Sequence, residues 1–245
     1  MKLVLLGTTG YHPNDRRQTA CFMIPELGIV LDAGTAMYRV RSFLQTSELD
    51  IFLTHAHLDH VVGITFLFDI VRDKNLRRVT VHAAADKLAA IERHLLAKEL
   101  FPVAPPCDFR PLESQVVLAG GGRLTHFPLA HPGSALGFRL DWPGHSLAYV
   151  TDTTAKRDAP YLEAIRGVDL LLHECYFADE QRELAELTGH SVVTAVAELA
   201  RAADVGKLVL VHIDPMADED AALLKTARAT FAATVVGQDL AEIEF

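Results

Sequence analysis

Leu49-Asp50-Ile51-Phe52-Leu53-Thr54 is an apolar strand that runs straight into His55-Ala56-His57-Leu58-Asp59-His60, and Val61-Val62-Gly63-Ile64 then opens an apolar helix. In extended backbone, residues i and i+2 face the same way, so the spacing lets His55 and His57 grip one metal ion. Asp59 and His60 follow as the chain turns into the helix, and their side chains point elsewhere. A second ion beside the first is the natural use for them. A lone histidine is more often a surface or core residue. Three imidazoles and a carboxylate crowded into one strand-to-helix corner have few purely structural explanations, and the chain holds 12 histidines in all.

Strand signals come in two batches: residues 2–6, 19–24, 29–31, 50–54 and 79–82, then 115–119, 123–129, 136–141, 146–151, 168–173 and 207–211. They are rich in Val, Ile, Leu and Phe and bounded by Gly, Pro, Asp and Asn. Helical periodicity marks 36–44, 60–71, 85–98, 192–202 and 217–232. Strands and helices followed by strands and helices again predict an α/β fold, a four-layer αβ/βα sandwich of two mixed β-sheets with helices on the outer faces. Residues 1–245 are expected to form a single domain. The Pro-rich stretch 101–111 reads as a surface crossing between its halves, and Gly120-Gly121-Gly122 as a hairpin turn.

Half of the 245 residues are apolar and 22% are charged, which excludes disorder. A formal charge of −9 argues against a generally basic nucleic-acid coat protein. Cys21, Cys107 and Cys175 share no CxxC spacing, so a reducing compartment fits better than a disulfide framework. The apolar start Met1–Leu6 meets Gly7 too soon for a signal peptide, and no apolar run approaches the roughly 20 residues of a membrane helix. A cytoplasmic protein with no membrane partner is expected.

A two-ion site needs further ligands from other strand ends. His131 follows the strand ending at Ala130, and Pro132-Gly133 stops it. Asp152 ends an apolar run where a carboxylate is costly to bury without a partner. His212 ends Lys207-Leu208-Val209-Leu210-Val211. A turn-capping aspartate and two loop histidines are the bland alternatives.

These residues carry a resemblance. HxHxDH followed by His131, Asp152 and His212, with Leu31-Asp32-Ala33-Gly34 upstream, resembles the metallo-β-lactamase superfamily of hydrolases over nearly the whole chain. The resemblance implies that His55, His57 and His131 hold one metal, that Asp59, His60 and His212 hold the other, and that Asp152 bridges them. A metal-bridging hydroxide would be the nucleophile, with Asp59 orienting it. The two divalent ions are expected to be Zn, with Mn or Fe compatible.

Within the superfamily, three features resemble the ribonuclease Z branch of phosphodiesterases: Leu172-His173-Glu174-Cys175-Tyr176, Gly189-His190-Ser191, and His212 followed by Asp214-Pro215. Carried over, Glu174 orients His190, which acts as general acid or phosphate-oxygen stabiliser. The plain structural alternative is Ser191 as a helix N-cap. Two departures stand out. Cys175-Tyr176 replaces a small Ala-Thr pair, and only residues 132–151 separate His131 from Asp152, where the branch carries a long tRNA-gripping arm. The expected substrate is therefore a small, short or cyclic phosphodiester rather than tRNA, as in arm-less cyclic phosphodiesterases; a homodimer stays open. The alternative is a thioester, lactone or β-lactam hydrolase of the glyoxalase II kind, which shares HxHxDH but not the Glu174/His190 loops. A fold retained without catalysis is a third reading.

Other candidates are assigned bland roles. His82 is read as a loop residue, His94 as part of a solvated face, and His126 and His145 as structural. The Gly7-Thr8-Thr9-Gly10 turn with His12 is read as a turn rather than a phosphate cradle. Arg16 and Arg17 are read as solvated charge, and Cys21 and Cys175 as buried small hydrophobes.

Overall fold

A computed structural model describes residues 1–72, 74–217 and 220–245. The chain forms two compact units, Met1–Glu113 with Gln238–Glu244, and Ser114–Gly237 with Phe245. Each contains one seven-stranded mixed sheet.

The first unit holds β1 (Lys2–Gly7), β2 (Cys21–Ile24), β3 (Ile29–Leu31), β4 (Glu48–Phe52), β5 (Arg78–Ala83), β6 (Asp108–Pro111) and β14 (Ala241–Glu244). Their order is β14-β1-β2-β3-β4-β5-β6, antiparallel from β14 to β3 and parallel from β3 to β6. Period-two alternation sends Leu49, Ile51 and Leu53 into one cluster with Met37, Ile64, Leu67 and Ile70 from the helical segments. The same alternation leaves Asp50 on the other face, where Arg78 and His82 bind it. Burial alone would raise the Asp50 carboxyl, but the hydrogen bonds from His82 and Arg78 hold it down to about 2.

The second unit holds β7 (Gln115–Leu118), β8 (Gly122–Leu129), β9 (Ala135–Trp142), β10 (His145–Val150), β11 (Leu170–Glu174), β12 (Lys207–Val211) and β13 (Thr234–Val236). Their order is β13-β12-β11-β10-β9-β8-β7; β10 to β13 are parallel, and β7 to β10 form an antiparallel meander. The helix Val193–Ala202 buries Val196, Ala197, Leu199 and Ala200 in a core with Leu171, Leu208 and Leu210.

The expected strands all form, with ends shifted by a residue or two. Five readings change. The helices expected over 36–44 and 60–71 are broken by 3-10 turns at Thr35–Arg39 and Val62–Phe66. The 101–111 stretch ends in a strand, β6, whose Pro111 is tolerated because it lies on the sheet edge. The helix expected over 85–98 is α-helical only over Ala85–Ala90 and closes with a wider π-turn, Ile91–Leu95. The short β13 and β14 and the helix Arg182–Thr188 have too little periodicity to stand out. The last helix is Asp220–Thr230, and positions 218 and 219 of the expected span lie outside the described residues.

Close packing fixes the helix that follows HxHxDH. The Gly63 N–H donates to the Ala33 carbonyl at 2.7 Å. A Cβ at this position would lie 2.2 Å from Met37 Cβ and 2.4 Å from the Gly34 carbonyl oxygen. Gly63→Ala is expected to destabilise the fold by about 2–3 kcal/mol, the usual scale of overpacking. The urea midpoint measures it, and an unchanged midpoint means the 33–37 turn yields freely.

Candidate metal centre

In the first unit the HxHxDH segment leaves β4 and turns into the short helix Leu58–Val61. The His55 ring lies 4.4 Å from His57 and 4.3 Å from His60, centroid to centroid. Asp32, one residue beyond β3 and fully buried, organises this cluster. Its carboxylate accepts the Thr54 N–H at 2.8 Å, the Thr54 hydroxyl at 2.9 Å and the His60 Nδ1–H at 2.7 Å. Because the Thr54 hydroxyl spends its proton on Asp32, it accepts from His55 Nδ1–H at 3.0 Å. Both rings thereby offer Nε2 outward, the tautomer a metal needs. Asp59 Oδ2 lies 3.4 Å from His60 Nε2 and accepts the Tyr11 N–H at 2.8 Å.

In the second unit, Asp152 sits two residues past the end of β10, after Thr151, and His212 directly follows β12. Both are left-handed, at φ +48° and +53°. Such a conformation costs a non-glycine residue roughly 1–2 kcal/mol, a strain typical of functional corners. Asp152 Oδ1 lies 3.5 Å from His131 Nε2, and Oδ2 lies 3.5 Å from His212 Nε2. Those separations are too long for hydrogen bonds. They match two donors each about 2.0–2.1 Å from a shared tetrahedral ion, which sit about 3.4 Å apart. His131 Nδ1–H is held by the Gly189 carbonyl at 3.2 Å, again leaving Nε2 to ligate. Gly189 is left-handed, and a Cβ on it would come within 3.2 Å of that imidazole. The donor set therefore fits divalent cations in both units.

Glu174, at the end of β11 and fully buried, is a hub. Its Oε1 accepts the Thr153 N–H at 2.9 Å and His190 Nδ1–H at 3.1 Å; its Oε2 accepts from the Ser191 N–H at 3.2 Å and the Tyr176 N–H at 3.3 Å. Four donors satisfy the buried carboxylate's oxygens. The donor atoms of Asp152, His190 and His212 lie within 4.8 Å of one another. Tyr176 stacks on the His190 ring at 4.9 Å, so this departure from the small residue of the branch packs the very histidine it adjoins.

Several expectations need correction. Ser191 does not cap the helix: its hydroxyl donates to the Thr153 carbonyl at 2.6 Å and accepts the Ala155 N–H, while Asp179 caps the Thr194 N–H. Arg17 is buried, with Nε on the Thr8 hydroxyl at 3.0 Å. His82 is a strand residue, stacked on Phe52 at 4.6 Å and bonded to Asp50. Sequence reasoning missed Asp32 as an orienting residue; an aspartate closing the apolar run Ile29–Leu31 was the available signal.

Behind Glu174, the fully buried His173 donates Nδ1–H to the Glu174 carbonyl at 2.7 Å and accepts from Tyr161 OH at 3.1 Å. Burial lowers the His173 pKa. Its folded form thus stays neutral below pH 6.5, where the unfolded chain takes up a proton, so the stability it contributes is complete above that pH and drains away as pH falls. Melting temperature is expected to drop between pH 7.5 and 5.5, and to drop less in His173→Gln; an equal drop in both refutes this.

The chain belongs to the β-lactamase superfamily domain family, whose model matches residues 28–213. More particularly, it is a ribonuclease Z-like, metal-dependent hydrolase: it is 27% identical to ribonuclease Z of Bradyrhizobium diazoefficiens over 284 aligned positions, covering 92% of this chain and 94% of that protein. In fold it is similar to the metallo-β-lactamase fold protein YhfI from Bacillus subtilis, with a TM-score of 0.84, 18% identity, and 100% and 99% of the two chains covered. It is also similar to the short form of human tRNase Z, with a TM-score of 0.77, 20% identity and the same coverage. No helix among the described residues is long and apolar enough to cross a membrane.

Proposed function

We propose that the chain is a dinuclear phosphodiesterase whose substrates are small or cyclic phosphodiesters. The Glu174–His190 pair beside Asp152 carries this reading. His190 Nδ1 is 3.1 Å from Glu174 and 4.0 Å from Asp152, so Nδ1 takes the orienting contact and Nε2 is the atom assigned to proton delivery. Ligand roles follow the family: His55, His57 and His131 for one ion, Asp59, His60 and His212 for the other, and Asp152 shared. A pair of divalent ions, zinc by default, supplies positive charge to the phosphoryl oxygens and acidifies water. Asp59 would orient the attacking water, and His190, as the imidazolium with Nδ1–H held by Glu174, would give its Nε2 proton to the departing alkoxide and be left neutral. The family model spans residues of both compact units, which supports reading them as one hydrolase domain.

Substrate size rests on what joins His131 to Asp152. The connection is the short hairpin β9–β10, whose strands pair from Trp142 and His145 onward. The alignment with the Bradyrhizobium enzyme runs over 284 positions against 245 residues here, so that relative has segments without a counterpart in this chain. A −9 chain without such a segment has little with which to track RNA phosphates. Metal-loaded protein is expected to turn over bis(p-nitrophenyl) phosphate and a 2′,3′-cyclic nucleotide faster than precursor tRNA. It is expected to leave S-lactoylglutathione and lactones untouched. Turnover of the carbon esters alone overturns the proposal.

A further inference from the structure

Tyr176 is tied to the Glu174–His190 pair at both of its ends. Its N–H donates to Glu174 Oε2 at 3.3 Å, while His190 Nδ1–H takes the other oxygen, Oε1, at 3.1 Å. Its ring stacks on the His190 imidazole, with 4.9 Å between centroids and 25° between planes. Backbone amide, carboxylate, imidazole and phenol ring thus close one circuit within the second unit. The segment that presents the ring is itself pinned. The next N–H, on Phe177, donates to the Ser191 carbonyl at 3.1 Å, and the buried Phe177 ring meets Tyr176 edge-on at 4.9 Å. Tyr176 also leans on the His212 ring, at 5.8 Å and 46°.

The hydrogen bond to Glu174 chooses which edge of the imidazole meets the carboxylate. It leaves the ring able to tilt, because χ2 of a histidine has broad wells. A stacked aromatic face removes that tilt. We infer that Tyr176 is a positioning residue for proton delivery: its ring sets the plane of the His190 imidazole, and so the direction of Nε2, while Glu174 sets the edge. The inference rests on the phosphodiesterase reading and deepens it, since the small residue of the ribonuclease Z pattern has no ring to lend at this position. Direction matters because a general acid works only within hydrogen-bond reach of the departing oxygen.

Two esters, given to metal-loaded protein, separate positioning from a merely structural role. A 2′,3′-cyclic nucleotide releases an alkoxide that needs a proton; bis(p-nitrophenyl) phosphate releases a phenolate that does not. Tyr176→Leu is expected to lower kcat on the first by about tenfold, the upper end of what a stacked pair contributes, with KM and metal content unchanged. On the second it is expected to lower kcat by less than about twofold. Tyr176→Met is expected to behave likewise and replaces Tyr176→Leu should that variant fail to fold. Tyr176→Phe keeps the ring and is expected to restore turnover of the cyclic nucleotide. Added to His190→Ala, Tyr176→Leu is expected to cost nothing further, because the two act as one unit. Proton NMR supplies a readout apart from turnover: the His190 ring shifts, set by the facing aromatic ring, are expected to move in Tyr176→Leu and Tyr176→Met and to stay in Tyr176→Phe. Equal slowing on both esters, no slowing on either, failure of Tyr176→Phe to restore turnover, or an additive loss with His190→Ala overturns the positioning role. Inactivity of the unaltered protein on both esters overturns the phosphodiesterase reading instead, and the NMR shifts then decide whether Tyr176 fixes the His190 ring.

Discussion

Asp152→Ala is expected to lose at least one equivalent of bound metal per chain and to cut phosphodiester turnover by about a thousandfold or more, well beyond the 10–100-fold typical of residues that merely orient a ligand. The reason is geometric. The two carboxylate oxygens face two different imidazoles, His131 and His212, each at 3.5 Å. Removing the carboxylate deprives both donors of this anionic neighbour. Elemental analysis of purified protein reads the metal loss directly. Asp152→Asn separates charge from shape, because asparagine tolerates the left-handed backbone at φ +48°; it should retain the fold and still fail to hold full metal. Full occupancy in both variants would remove Asp152 from the centre.

His190→Ala produces the second large effect. Turnover is expected to fall by about 10²–10⁴-fold, the usual worth of a positioned general acid, with metal content unchanged because the proposed ligand set is complete without His190. The size of the defect should depend on the leaving group. A p-nitrophenolate departs without a proton, so the loss is small for its esters; an alkoxide needs one, so the loss is large for alkyl and nucleoside esters. Equal defects on both would assign His190 to phosphate-oxygen stabilisation instead. Loss of metal would make it a ligand.

The contrast between the two halves of the candidate site shows what can be read from sequence. His55, His57, Asp59 and His60 are legible because their geometry is local: a strand end and a helix start set all four directions within a few residues. His131, Asp152 and His212 are legible only as polar residues closing apolar strands. Their tight mutual distances depend on β8, β10 and β12 sharing one sheet, which no local pattern encodes. Asp32 was hidden for the same reason, since its partners Thr54 and His60 come from a different strand and helix.

By itself the sequence determined the α/β class, the positions of most strands and the metal-binding corner, because periodicity and adjacent spacing are properties of neighbouring residues. Tertiary structure alone decided that Tyr176 stacks on His190, that Ser191 ties down the 153–155 loop instead of capping a helix, and that Arg17 is buried. Those outcomes depend on which segments pack together, and burial and hydrogen bonding across long chain separations are set by the whole sheet rather than by any one stretch of it.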